Sequence, residues 1–237
     1  MNSEIQISSF SFTAVNNAVD LFSDLPPRDK IGMAKTYQSA FGGPPWYERF
    51  VCGKCGNFLK KPFCTSCLLA APGEAYPSGW LINKYFTEML SAFTPGMLAI
   101  ARQPDQVIGF TTGGFISLDK LVAEKYSTQE PDRILNSITA YFSITPEVSV
   151  FYDNETCIRP ALQAKGLGSE LSQIRIDRAV SLGAVAICGR TINRPWLKVK
   201  ERQLLALGFS FAALVPPGDT YQVDGNTRYF YLAQKEY

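Results

Sequence analysis

The 237-residue sequence contains no histidine, and that one absence removes Ser-His and Cys-His nucleophile pairs, imidazole metal ligands and the commonest general base together. Proton transfer falls to carboxylate, tyrosine, cysteine, amine or water. An excess of one charge is also lacking: 23 Lys and Arg against 21 Asp and Glu leave a formal +2, well short of the concentrated basic charge of a nucleic-acid binder. No apolar run approaches the roughly 20 residues a membrane span needs, and Met1-Asn2-Ser3-Glu4 opens without a basic segment ahead of an apolar one. The expectation is a cytoplasmic protein with neither membrane nor nucleic acid as partner. Repeats and low-complexity segments are absent as well. What is there is a globular balance, 46% hydrophobic and 19% charged, enough for one main core plus a satellite.

Ile5 to Phe12 alternates loosely and reads as a strand. Val15, Ala18, Val19 and Phe22 recur at helical spacing behind a Thr13 cap, and Met33, Tyr37, Ala40 and Phe41 mark a second helix from about Asp29 that stops at Gly42-Gly43-Pro44-Pro45. After a cysteine-bearing stretch, Ser78 is expected to cap a helix striped by Ile82, Tyr85, Phe86, Met89, Leu90 and Phe93. From Met97 the period changes to two, predicting a hairpin of 97–101 and 107–115. Residues 118–142 are helical in character, and 148–158 form a long strand. A glycine loop, a helix over 169–182, a strand over 185–190, a helix opened by Pro195 and two closing strands complete the chain. The organisation expected is 1–44 as the opening of the main domain, 45–77 as an insertion and 78–237 as the remainder.

Four of the six cysteines form two Cys-x-x-Cys knuckles, Cys52 with Cys55 and Cys64 with Cys67, eight residues apart. Four thiolates suit tetrahedral Zn2+, and filling every position with sulfur makes the metal structural. Two disulfides or an iron or redox site are the alternatives. Lys54, Lys60 and Lys61 with Trp46, Tyr47 and Phe58 give the insertion a basic, aromatic surface that either grips a protein or nucleic-acid acceptor or accompanies a simple staple. Cys157 and Cys188 sit in strand-like apolar surroundings and read as buried small hydrophobes.

Ile158-Arg159-Pro160-Ala161-Leu162-Gln163-Ala164-Lys165-Gly166-Leu167-Gly168-Ser169 runs from a strand end through a glycine loop into a helix. Glycines permit close backbone approach, and the unpaired N–H groups of a first helical turn attract an anion such as a pyrophosphate. No Gly-Lys-Ser/Thr follows, and no acidic residue closes a dinucleotide fingerprint. The segment resembles motif A of the GNAT N-acetyltransferases, and Asn193 with Leu207-Gly208-Phe209 resembles that family's later segment. The resemblance covers roughly 97–233, with 5–41 fitting the family's opening strand and two helices. It implies an α+β fold, a splayed and mostly antiparallel sheet flanked by helices, here with a zinc-knuckle insertion. It further implies acetyl-CoA lying in the splay. The diphosphate would sit on the amides of Ala164, Lys165, Gly166, Leu167, Gly168 and Ser169, with Gln163 in the approach. The pantetheine arm would pair along Cys157 and Ile158, the thioester would meet the Ile158 N–H, and Asn193 would steer the arm. Lys165, Arg194 and Lys198 are either phosphate partners or solvated surface charge.

The implied reaction moves an acetyl group from acetyl-CoA to a primary amine. The nearest carboxylates are Asp153 and Glu155, candidates for the general base. Where relatives carry a tyrosine acid this chain has Leu204, so Tyr221 and Tyr229 are the candidate replacements. The missing tyrosine also leaves open a module that holds coenzyme A without turnover. The acceptor, small molecule or protein, is not written in the sequence, and a homodimer is left open.

Overall fold

The structure is a computed structural model and describes residues 18–44, 46–70, 73–103, 106–127, 129–192, 194–219 and 227–235, the side chain of Arg194 excepted. The expected first strand, the Thr13 cap, Asn193 and Tyr221 lie outside the described residues.

Helices α1 (Ala18–Asp24) and α2 (Pro27–Gly42) come first. Pro27 starts α2, since a proline in the first turn forfeits no helical hydrogen bond. The cysteine-bearing segment, expected as the insertion and called so below, holds strands β1 (Phe50–Val51), β2 (Phe58–Leu59), β3 (Phe63–Cys64), β4 (Leu69–Ala70) and β5 (Gly73–Glu74). β1 pairs antiparallel with β2 and β5, and β3 with β4. The next helical segment is α3 (Ser78–Trp80), a π-helical turn (Leu81–Tyr85) and α4 (Phe86–Ser91). Ser78 is its first residue rather than its cap, a place taken by Pro77 without a side-chain bond. The predicted stripe is buried at Phe86, Met89, Leu90 and Phe93, and Leu81 joins it.

The predicted hairpin is β6 (Gly96–Gln103) and β7 (Gln106–Ser117). The helical stretch after it is two helices, α5 (Leu118–Lys125) and α6 (Pro131–Phe142), because Pro131 opens a new helix instead of continuing the old one. Then follow β8 (Ser149–Ile158), α7 (Leu167–Ser181), β9 (Ala186–Thr191), α8 (Arg194–Leu205), β10 (Phe209–Leu214) and β11 (Tyr229–Lys235). Among the described residues, six strands form one sheet in the order β10-β11-β9-β8-β7-β6. Every pairing is antiparallel except β8 with β9. One face buries Phe110, Cys157, Tyr152 and Phe230 beneath α1, α2, α4, α5 and α6. The other buries Phe151, Ile187, Ile158 and Ala233 beneath α7 and α8. Both Cys157 and Cys188 are fully buried, as read.

Two irregularities position the site. β8 and β9 pair only through Phe151, Tyr152 and Asp153, so beyond that point the two parallel strands part. The expected mixed, largely antiparallel, splayed α+β sheet is therefore present. Second, Thr111 faces Thr156 while Gly113 faces Asp153 across β7 and β8. Thr112 alone thus opposes Asn154 and Glu155, which is a β-bulge. The extra residue reverses the alternation of β8. Tyr152 lies on the α2 and α5 face and Asp153 on the α7 face, yet past the bulge Cys157 is back on the α2 face.

Candidate functional site

At the splay, the edge of β8 is left without a strand partner among the described residues. Arg159 N–H donates to the Ile108 carbonyl at 3.1 Å, which makes Gly109 and Ile158 a non-hydrogen-bonded antiparallel pair whose own amide groups point away from each other. Ile158 therefore presents its N–H and C=O to the split, and Thr156, two residues back, does the same. Cys157 turns its main chain to β7 and its thiol into the aromatic core. Gln163 reaches back, its side-chain amide donating to the Ile158 carbonyl at 3.3 Å, so the Ile158 N–H is the group left facing a ligand.

The glycine loop follows directly. Ala164 and Gly166 both take left-handed backbone (φ 59° and 90°), with Gly166 capping α7. Glu170 makes the first bond of the helix, to the Gly166 carbonyl at 3.1 Å, so the amides of Leu167, Gly168 and Ser169 have no acceptor within the helix. Gly168 is wedged between Ile158 and Trp196, where an added Cβ would meet the Ile158 Cδ1 at 3.1 Å. A left-handed cap, orphan amides and a closely approached glycine fit the diphosphate of a coenzyme A thioester.

A single cavity of about 790 Å³ connects this loop to the far side of the splay. Ile158, Gln163, Ala164, Gly166, Gly168 and Ser169 line one end; Lys165 and Leu167 are not among the lining residues, Leu167 being packed on Ile158 and Leu171 beneath. Lys198 is exposed on α8 and also outside the lining. All three tryptophans of the chain, Trp46, Trp80 and Trp196, face this cavity.

The two candidate carboxylates are separated by the bulge. Asp153 is buried on the α7 face, where Arg175 and Lys200 pair with it, Lys200 Nζ at 2.5 Å, and the Tyr231 hydroxyl donates to it. Burial and the neighbouring Arg175 charge push the Lys200 ammonium well down from its ordinary value. Tyr231 reaches Asp153 by lying across Gly189, where any Cβ would strike its ring and hydroxyl. Both residues line the cavity, but the Asp153 carboxylate is already paired, whereas Glu155 faces the aromatic side. Burial pushes its carboxyl up to about 7; Lys125 and Arg228 pull it back, and Glu48 adds to the push. Its remaining exposure is to this cavity, where solvation is poorer than in bulk water, rather than to the open surface. Tyr231, not the candidate Tyr229, lines the cavity. Leu204, at the position where a tyrosine was missed, is wholly buried against the α8 and β10 core.

Sequence reasoning saw Trp46 and Phe58 as aromatic surface of the insertion and missed the rest of the other wall. Tyr37 and Phe41 from α2, Trp46 and Phe58 from the insertion, Tyr76, Trp80 and Tyr85 surround the space in front of Glu155, with Glu48 between them. Tyr37 and Tyr85 share a 2.8 Å hydrogen bond, Trp80 stacks on Tyr85 at 5.0 Å, and Tyr76 donates to Glu48. Burial holds the Tyr37, Tyr76 and Tyr85 phenols well above their ordinary range, with Glu155 or Glu48 adding to the effect. These phenols are donors at any ordinary pH. The only advance signal was the density of aromatics around the cysteines and in the following helix.

In the insertion, the sulfur atoms of Cys52, Cys55, Cys64 and Cys67 lie within 4.8 Å of one another. Cys55 and Cys64 are 3.7 Å apart at sulfur, too far for a disulfide, whose S–S bond is about 2.05 Å. A tetrahedron with zinc–sulfur bonds of about 2.3 Å has edges of about 3.8 Å. The four cysteines fit a closed metal site with no position open for chemistry.

No family model and no curated protein matches the chain. Solved structures are similar to it. A Drosophila melanogaster polyamine N-acetyltransferase that forms N-acetylagmatine is 12% identical, with 87% of this chain and 96% of that chain covered at a TM-score of 0.48. A mosquito arylalkylamine N-acetyltransferase-like 5b is 16% identical, with coverages of 68% and 82% and a TM-score of 0.44. The proposed acetyltransferase yncA of Salmonella typhimurium, solved with acetyl-CoA, is 17% identical, with coverages of 70% and 78% and a TM-score of 0.42. Likeness at this level assigns no activity, and the chemistry is read from this chain's own residues. Among the described residues, no helix is long and apolar enough to cross a membrane.

Proposed function

We propose that the chain is an acyl-CoA-dependent N-acyltransferase that moves an acetyl group from acetyl-CoA to a primary amine. One observation carries the reading: a continuous cavity joins the orphan amides of α7, the exposed Ile158 N–H at the splay and a carboxyl raised to about 7. Bound acetyl-CoA supplies an activated acyl group and a thiolate leaving group. The amides of Leu167, Gly168 and Ser169 bind the diphosphate at the positive end of the α7 dipole. Thr156 and Ile158 align the arm by adding it to the open edge of β8, and the Ile158 N–H stabilises charge on the thioester oxygen.

Glu155 is assigned as the base that takes the proton from the amine. A carboxylate of ordinary acidity is a weak base at neutral pH, and raising it to about 7 brings it to the working range. Asp153 serves as counter-ion to Arg175 and Lys200. The four cysteines hold Zn2+ structurally. Calorimetry with acetyl-CoA together with coenzyme A release on an amine panel tests the assignment. Heat on mixing and release with at least one amine are expected. No heat with either free or acetylated coenzyme removes it, and binding without turnover on every amine turns it into the coenzyme-holding module.

A further inference from the structure

The insertion does more than hang from the domain: it builds part of the cavity. Its neck is tied to α2 by main-chain bonds from Tyr47 to Gly43 and from Glu48 to Phe41, each 2.8 Å, and Arg49 Nε donates to the Gly42 carbonyl at 2.8 Å. Its exit is tied by Gln38, whose side-chain amide donates to the Tyr76 carbonyl at 2.7 Å. Between neck and exit, β1 and β2 place Val51 opposite Phe58. The turn joining those strands is the first knuckle, in which Cys52 N–H bonds to the Asn57 carbonyl at 3.0 Å. A metal clamped by Cys52 and Cys55 on one side and Cys64 and Cys67 on the other therefore fixes where Phe58 stands. Phe58 packs 5.5 Å from Tyr76, and Trp46 packs 5.5 Å from Phe41.

We infer that the metal-bound insertion is the acceptor-binding wall, and that the acceptor is a small primary amine on a flat aromatic body. The inference rests on the transferase reading. Phe58, Trp46, Tyr76, Trp80 and Tyr85 offer ring faces and edges from several directions, the arrangement that receives a planar apolar group. A cationic amine at one end of that group meets ring faces, Glu48 and Glu155. A long flexible polyamine would leave the flat apolar space unfilled and bring its second charge toward Lys125 and Arg228.

The test uses the metal-loaded full chain with tryptamine, 2-phenylethylamine, putrescine and a lysine-containing peptide as acceptors, and coenzyme A release as readout. The aromatic amines are expected to show a kcat/KM at least about tenfold above putrescine and the peptide. In Phe58→Ala, KM for tryptamine should rise about tenfold while kcat and the calorimetric affinity for acetyl-CoA stay within about twofold. Chelator-treated protein should keep its coenzyme A binding heat yet lose the tryptophan fluorescence change that 2-phenylethylamine causes. Turnover that favours putrescine or the peptide overturns the acceptor class. An unchanged KM in Phe58→Ala, or a fluorescence response that survives chelation, overturns the wall. If no amine releases coenzyme A, the transferase reading itself is what fails.

Discussion

The Arg175 guanidinium donates to the main-chain carbonyl of Glu155 at 2.8 Å from one face of the sheet, while the Glu155 carboxyl stands in the cavity on the opposite face. The same Nη1 donates to the Thr112 carbonyl at 2.9 Å, so one buried cation stitches both sides of the bulge. Thr112 completes the stitch with its hydroxyl, which accepts from the Asn154 side chain at 3.3 Å. Without the extra residue Glu155 would follow Asp153 to the α7 face, and the aromatic side of the cavity would have no carboxylate from β8.

Glu155→Gln should lower kcat by about two to four orders of magnitude, the usual contribution of a general base, with acetyl-CoA affinity retained. Wild-type kcat/KM should rise with pH as a group near 7 ionises. That pKa is set by burial first, then by Lys125 and Arg228 against Glu48, with the Tyr37, Tyr76 and Tyr85 phenols remaining neutral throughout. A pH profile without this limb, or a fully active variant, removes Glu155 from the chemistry.

The same substitution should stabilise the protein at high pH. Folding raises the Glu155 carboxyl from 4.5 to about 7, so the native state holds a proton that the unfolded chain has released in this window. Stability therefore falls as pH rises from about 4.5 to 7, and the full penalty, at most about 3 kcal/mol, persists above it. Denaturant titrations should find Glu155→Gln more stable than wild type at pH 8, with the gain shrinking toward pH 5. Equal differences at both pH values would contradict the buried, raised carboxyl.

How much of this was legible beforehand follows from how local each signal is. The anion cradle depends on Gly166, Gly168 and the helix start beside them, and the metal site on two short knuckles, so both can be read from contiguous residues. The aromatic wall cannot, because Tyr37, Trp46, Phe58, Tyr76 and Trp80 come from separated segments. Tyr85 looked like an ordinary core stripe for the same reason. The bulge was hidden too. Strict alternation puts Asp153 and Glu155 on one face as equals, and only Arg175, whose partners lie 20 and 63 residues away, separates them. Arg175, buried within α7, is the structural cation, and nothing in its local sequence marks it as one.

Gly166→Asp should abolish the calorimetric signal of acetyl-CoA. The left-handed backbone at φ 90° strains any side chain bearing a Cβ, and the added carboxylate sits where a diphosphate must approach. Gly166→Ala separates the effects, carrying the strain without the charge, and should weaken binding less. Wild-type affinity in Gly166→Asp would mean that the cradle binds something else or nothing.

Elemental analysis should find one zinc per chain, and alkylation should spare all four clustered cysteines until a chelator is added. Cys157 and Cys188 are buried and should stay unmodified in the folded protein either way. An insertion of this size cannot maintain a core without its clamp, so chelation should expose it to protease while α7 and β8 remain protected. Four reactive thiols in the untreated protein, or disulfides by mass, would refute the metal site.

Asp153→Asn distinguishes the two carboxylates most sharply. Its carboxylate faces Arg175 and Lys200 together, with Lys200 held also by Ser172 at 2.5 Å and lying 5.1 Å from the Trp196 ring. Removing the anion leaves two buried cations without compensation, at a cost of about 3–5 kcal/mol. Activity will fall with stability, which a base would also produce. The double variant Asp153→Asn with Lys200→Met separates these roles, because it removes one cation along with the anion and should recover much of the lost stability. If Asp153 acts only as counter-ion, coenzyme A release should recover in parallel, since Glu155 is still aimed by Arg175. A double variant that regains its fold but remains inactive would transfer the proton-accepting role from Glu155 to Asp153.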